Sequence, residues 1–173
     1  VPNWLWRSDI RHPLFVSNRT LSRYKNYKKG SVVWCLDSGG FSELSLYNKW
    51  LTTPNQYISQ VRRYKDEITN LVWAAPMDWM CEPVMINKTG KSVIEHQQLT
   101  CENFAYLRSE APDLPFIPVL QGWEPDDYYR HDEMYKTYGF QLNKEQTVWP
   151  LFVLSKIYAL GDLLLFQNCL LTY

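Results

Sequence analysis

The stretch Ser31-Val-Val-Trp-Cys-Leu-Asp37-Ser38-Gly39-Gly40-Phe41 decides how this chain is read. Its first half is a short apolar run rich in β-branched and aromatic residues, which reads as a buried strand. It stops abruptly in a carboxylate, a hydroxyl and two glycines. Glycines at a strand's end permit a tight turn and let a ligand approach the backbone closely. Asp37 is thereby delivered to the rim of a sheet with little bulk around it and the ring of Phe41 beside it. A strand-end carboxylate taken alone is equally a helix cap. Its repetition further along the chain is what singles it out.

The composition sets the frame. At 173 residues, 46% apolar and 16% aromatic, the chain can bury one substantial core and is not a disordered segment. Its 18 basic and 18 acidic residues cancel, so there is no global basic footprint, and any nucleic-acid contact must come from a local patch. Cys35, Cys81, Cys101 and Cys169 are scattered without a CxxC or Cys/His cluster, which reads as reduced core thiols in a cytoplasmic protein and gives no metal site. No basic-then-apolar leader follows Val1. The Asn-x-Thr triplets at Asn18 and Asn87 read as chance in that setting.

Outward from the opening stretch, the same plan recurs. Leu14–Ser17 reads as a first short strand. The basic, aromatic-interleaved segment from Arg19 to Lys29 reads either as a solvated helix face followed by a loop or as a phosphate-holding surface. Ser42–Leu46 alternates polar and apolar residues, and Asn48 breaks the run before Lys49, which predicts a small hairpin. Thr53-Pro54-Asn-Gln56 opens a helix with Thr as N-cap, Pro at the first helical position and Gln three residues past the cap. Tyr57, Val61, Tyr64 and Ile68 share its buried face. Leu71–Pro76 is the next strand, and Asp78 follows it among Met and Trp side chains, where an unpaired carboxylate is costly. Glu82 before Pro83 is a candidate acid or the cap of the next turn. Ser92 and Glu95 form a capping box for a helix reaching about Glu110, with His96 as a packing or surface residue in its first turn. The segment Ala111–Pro115 breaks it. Phe116–Leu120 reads as a further strand with Gln121-Gly122-Trp123 at its end, and Pro125 opens a helix that Gly139 stops.

Strand, polar residue at its carboxyl end, loop and amphipathic helix thus repeat. Alternating strands and helices imply an α/β fold with a parallel sheet, in which ligand residues gather at the carboxyl ends of the strands. Asp37, Asp78 and Gln121 are expected to converge there. A glutamine amide, with donors and an acceptor, suits the edge of a heterocycle. The tail from Val148 to Tyr173 abandons the rhythm. It is mostly apolar, but Lys156, Asp162, Gln167 and Asn168 interrupt it, so it reads as a buried helix pair broken near Gly161, or as a fragment end or a shift of reading frame, and not as a membrane span.

Leu36-Asp-Ser-Gly-Gly-Phe41 resembles the DSGGF motif of the tRNA-guanine transglycosylase superfamily, related to queuine tRNA-ribosyltransferases. Ala74-Ala-Pro-Met-Asp-Trp-Met-Cys-Glu-Pro83, Thr89-Gly90 with His96-Gln97, and Ile117-Pro-Val-Leu-Gln-Gly-Trp123 resemble the DNA-directed branch of that superfamily, the deazapurine DNA modification (DpdA) family found in phages and bacteria. The resemblance implies a TIM-barrel-like fold built of (β/α) repeats over residues 1–145, with 146–173 a divergent apolar tail. It implies exchange of a guanine in DNA, or in tRNA as in the other branch, for a 7-deazaguanine, with no cofactor. A carboxylate attacks the anomeric carbon and expels the base, and the incoming deazapurine displaces the enzyme. By motif, Asp37 is similar to the acid/base carboxylate, with Ser38 and Gly39 shaping the pocket. Phe41 is similar to the ring that stacks on the base, Asp78 to the acid that receives its N–H groups, and Gln121 to the amide that reads its carbonyl. The base must leave the stack or be single-stranded to enter. Partner proteins of a DNA-modification system are implied as well.

Two departures accompany the resemblance. The family's covalent nucleophile, an aspartate on a later strand, has no counterpart after Gly139, and a Gly-rich strand motif is missing there. The expectation is therefore a partial barrel, truncated at both ends. The alternatives are a non-catalytic purine or nucleic-acid binder, an inactive truncated relative, or a glycoside hydrolase using two rim carboxylates.

Overall fold

The computed structural model describes residues 3–142. Strands β1 (Leu14–Ser17), β2 (Trp34–Asp37) and β3 (Leu71–Ala74) lie side by side in chain order, all parallel. Leu14 is opposite Trp34 and Ser17 is opposite Asp37, so β1 and β2 end level with one another. Between and after them come six helices among the described residues: α1 (Asn18–Leu21), α2 (Gly40–Tyr47), α3 (Pro54–Glu67), α4 (Pro83–Thr89), α5 (Val93–Glu110) and α6 (Pro125–Thr137).

The long helices start where their caps dictate. Thr53 Oγ1 accepts from Gln56 N at 3.3 Å while Gln56 Oε1 accepts from Thr53 N at 2.8 Å. Ser92 and Glu95 make the same reciprocal pair, at 3.2 and 2.7 Å. Each pair satisfies two amide donors that the first helical turn leaves without partners. Gly139, at φ 84°, follows the end of α6 in the left-handed region that glycine adopts without strain.

The helices carry a common core to the sheet. Trp34 and Leu36 of β2 share a cluster with Tyr57, Val61 and Tyr64 of α3, Ile68 just past its end, Phe104 and Leu107 of α5, and Tyr135 of α6. The indole and phenol donors of its fully buried aromatic side chains are paired, as burial requires. Trp34 Nε1 donates to Thr69 O at 2.7 Å, and Tyr57 Oη donates to Ala75 O at 2.8 Å. Tyr64 Oη donates at 2.8 Å to Asn18 Oδ1, so the Asn18 triplet is a core element and not a surface acceptor for a glycan. Cys35, Cys81 and Cys101 are free thiols buried in the same interior.

Two expectations from sequence are corrected, and a third holds with a shorter helix. The hairpin expected after Gly40 is helix α2. Gly39, at φ 82°, turns the chain out of β2, and Asn48, at φ 57°, closes the helix through its N–H on Leu44 O at 3.0 Å. Over Ser42–Leu46 only Leu44 is fully buried, and five alternating residues fit one buried helical position as well as one face of a strand. The expected strand at Phe116–Leu120 is a single parallel bridge, Ala74 to Phe116. Ala74 N reaches Pro115 O and Ile117 N reaches Ala74 O, but the ladder goes no further, because Val119 N, the next donor on that side, is used elsewhere. The next amides turn to side chains of α6 instead. The helix expected around Thr20 ends at Leu21, because the Tyr24 amide and the Tyr27 hydroxyl both return to Leu21 O, at 2.9 Å each. The apolar tail lies outside the described residues, as does the boundary expected at 145. Among the described residues no helix is long and apolar enough to cross a membrane.

Candidate functional site

The carboxyl ends of β2 and β3 and the segment after Phe116 bring three polar side chains together. Asp78 follows β3 by four residues and is 8% exposed. Ser38 Oγ donates to its Oδ1 at 2.6 Å, and Gln121 Nε2 donates to its Oδ2 at 2.6 Å. One carboxylate, met from either side by a hydroxyl and an amide, thus joins three separate parts of the chain. A carboxylate has about four acceptor positions and these neighbours use two, while Gln121 Nε2 keeps a second N–H.

Asp37 stands at the end of β2, half-buried. Gly39 N donates to its Oδ2 at 3.2 Å, and the Ser17 hydroxyl, at the facing end of β1, also bonds it. Phe41 lies one residue beyond Gly40 and is 61% exposed, a large apolar ring left open beside the rim.

The glycines are required by space. A Cβ on Gly40 would stand 2.8 Å from Trp50 Cζ2 and 3.0 Å from Asp78 O. Trp50 Nε1 donates to that same carbonyl at 3.3 Å, so Trp50 and Gly40 together hold the backbone of Asp78. Gly39 combines its positive φ with a close approach to Arg19, whose backbone N would be 3.1 Å from an added Cβ.

Sequence reading passed over a further layer. Gln121 is held through its backbone: its N–H donates to His131 Nδ1 at 2.7 Å, and its carbonyl accepts from Gln97 Nε2 at 2.7 Å. Gln97 Nε2 also reaches Asp127 O at 2.7 Å, and Asp127 Oδ2 accepts from the Trp123 and Glu124 amides, both at 2.9 Å. The signal for Gln97 and His131 was a fully buried polar side chain on a helix face otherwise packed into the core. His96 is a packing residue, between Met80 O at 2.6 Å and Thr89 Oγ1 at 2.7 Å. Glu82 takes the N-cap position of α4 without making a side-chain cap. Among the described residues no group of three or more His, Cys, Asp or Glu side chains is placed to hold a metal ion.

Burial governs the ionisation here. Loss of hydration pushes Asp78 up to about 7, the neighbouring Asp37 charge adds to that, and the bonds from Ser38 and Gln121 oppose it. Burial also raises Asp37, against the hydrogen bonds from Ser17, Gly39 and Ser38. Near neutrality Asp78 therefore keeps a proton that a free aspartate would have lost.

The folded state binds the Asp78 proton more tightly than the unfolded chain. Its contribution to stability is complete below the ordinary aspartate range and is lost as pH rises from about 4 through about 7. His131, pushed down to about 4 by burial, works in the opposite direction over part of the same window. The quantity to measure is therefore the stability of the native protein minus that of Asp78→Asn, from urea unfolding at a series of pH values. It should fall steadily from pH 4 to pH 7 and level off above. A flat difference would contradict the assignment.

A model of the DpdA family, "DeoxyPurine in DNA protein A", matches residues 1–150. No curated protein and no solved structure matches the chain. A match over most of the sequence, including every strand and helix described above, fixes the kinship: the chain belongs to the DpdA family.

Proposed function

We propose that the rim of this sheet is the base site of a transglycosylase that exchanges guanine in DNA for a 7-deazaguanine. Membership of the DpdA family indicates a part in deazapurine modification of DNA. The observation that carries the finer reading is the buried Asp78 carboxylate held between Ser38 and Gln121. A purine of the guanine type offers adjacent N–H donors next to a carbonyl. Asp78 has acceptor capacity for the donors, and the free N–H of Gln121 suits the carbonyl. The exposed Phe41 ring supplies a flat face for stacking.

In this reading Asp37 moves the proton. With its proton affinity raised by burial, it protonates the N9 of the departing guanine as the glycosidic bond breaks. It then takes the N9 proton of the incoming deazapurine as the new bond forms. The net proton transfer is from incoming to outgoing base, so the carboxyl group ends as it began. The covalent attack on the anomeric carbon is assigned to no residue in 3–142, since both rim aspartates are engaged in other roles.

The sheet supports placing this site in a (β/α) barrel of the tRNA-guanine transglycosylase superfamily over residues 1–145. Neighbouring strands follow chain order without reversal, and the Phe116 bridge continues that order beyond β3. A doubly wound sheet would instead reverse its order at a switch point.

The test is incorporation of radiolabelled 7-deazaguanine into DNA. Incorporation by the native protein, abolished by Asp37→Ala and by Asp78→Ala, is expected. Unchanged incorporation by both variants would remove the site assignment. Base binding without any incorporation would make the protein a purine binder.

A further inference from the structure

The opening third of the chain carries a charge pattern that the base site does not use. Between Asp9 and Asp37 there is no acidic residue, but there are six basic ones, in a chain whose 18 basic and 18 acidic residues cancel as a whole. Five of them, Arg19, Arg23, Lys25, Lys28 and Lys29, lie on α1 and the loop that follows it. The last four are exposed, and among the described residues none of the five is in a salt bridge.

This loop is fastened in place. Tyr27 Oη is bonded to Leu21 O, Arg63 donates to Lys25 O, and Gly30 N reaches Ile68 O at 2.6 Å. Its aromatic rings serve the packing. Tyr24 lies 5.7 Å from Trp6, and Tyr27 stands edge-on to Tyr64 at 5.3 Å with the Arg63 guanidinium over its face at 4.6 Å. The rings are thus engaged within the fold, and the cations face outward, held by backbone that is tied to α1 and α3.

The strip begins at the site. β1 ends level with β2, α1 follows β1 at once, and Arg19 lies against Gly39, two residues from Asp37. From there the loop leads down the flank of the sheet to Gly30, beside the end of α3.

We infer that residues 19–29 form a phosphate-binding strip that holds the DNA strand flanking the target base, contacting its backbone and not its bases. This inference rests on the proposed function for the rim site, because the strip's use depends on a base being delivered there. Its chemistry is that of counterion release: each neutralised phosphate on a single strand contributes about 0.7 to the salt dependence of log K.

The experiment compares the native chain with Arg23→Gln/Lys25→Gln/Lys28→Gln/Lys29→Gln, which leaves Arg19 untouched, and with a control, Lys49→Gln/Lys91→Gln. Anisotropy of a fluorescein-labelled single-stranded oligodeoxynucleotide, titrated from low to high salt, reads affinity and slope. The fourfold variant should lose at least about tenfold in affinity at low salt, and its slope should shrink by about 2 to 3. The control should change neither. Lysine acetylation of the native protein, mapped by mass spectrometry with and without the oligonucleotide, gives the same answer without any substitution. Lys25, Lys28 and Lys29 should be protected, and Lys49 and Lys91 should not. An unchanged slope with uniform labelling would overturn the inference, as would binding to phosphatidylserine-containing vesicles in preference to the oligonucleotide. Calorimetry with free 7-deazaguanine reads the rim site separately. The fourfold variant should bind the free base as the native protein does, so a failure of the strip and a failure of the site are told apart.

Discussion

Replacing Asp78 by asparagine is expected to weaken binding of a free 7-deazaguanine base about 100-fold, with little loss of fold. A hydrogen bond to a charged group contributes roughly 1.5–3 kcal/mol, and about 2.7 kcal/mol corresponds to a factor of 100. The asparagine keeps one acceptor oxygen. Its amide nitrogen, however, turns a donor toward a ligand edge that itself offers donors, so one contact is lost and another becomes repulsive. The site itself should tolerate the change. Ser38 can turn its hydroxyl, and Gln121 can rotate its amide to present oxygen to the new N–H group. Isothermal titration calorimetry measures the affinity, and a circular dichroism melt at pH 7 tests the fold. A variant that binds the base as the native protein does would show that Asp78 does not read it.

The second large effect is expected from Gly40→Ala, one methyl group placed where the site has no room. The new Cβ would sit 2.8 Å from the Trp50 ring and 3.0 Å from the backbone oxygen of Asp78. Both are well inside van der Waals contact. The ring is braced by its own bond to that oxygen, so neither neighbour can withdraw without disturbing the other. Overpacking of this kind costs roughly 1–3 kcal/mol. For a domain of this size that lowers the melting temperature by about 3–10 °C. The displaced carbonyl belongs to Asp78, so base affinity should fall with stability. Gly90→Ala is the informative comparison. Nothing lies within 4 Å of its Cβ, so whatever it costs comes from its positive φ of 68°, and base binding should be untouched. Equal affinities for the native protein and Gly40→Ala would contradict this account of how Asp78 is positioned.

What could be read from the sequence divides along a physical line. Helix starts were legible because a capping box is a contract between residues three apart, as Thr53–Gln56 and Ser92–Glu95 illustrate. That Asp78 and Gln121 meet beside Asp37 was legible as a convergence, since parallel strands bring their carboxyl ends to one rim, whereas Ser38 entered only through its motif. The bonds themselves were not, because residues 40 and 43 apart in the chain leave no local trace of being paired. The Ser42–Leu46 alternation misled because α2 is anchored chiefly by Leu44, and too few core positions fix the period. The Phe116–Leu120 segment stops short as a strand because Val119 N and Gln121 N bond to Tyr135 and His131 of α6, partners too distant in the chain to be read locally. Gln97 and His131 fall on two helices that the sequence predicts. Their work on the backbone of Gln121 belongs to the tertiary structure alone.

The central claim is that a deazapurine docks on Asp78 and is held by its ionised form. Proton counting by titration calorimetry, in two buffers of different ionisation enthalpy, tests it most directly. In the free protein near pH 6 Asp78 is mostly protonated, because burial has raised it to about 7. A base that donates hydrogen bonds to the carboxylate must displace that proton. Binding should therefore release close to one proton near pH 6 and almost none at pH 8, where Asp78 is already ionised. Binding with no proton released at either pH, or no binding at all, would contradict the account.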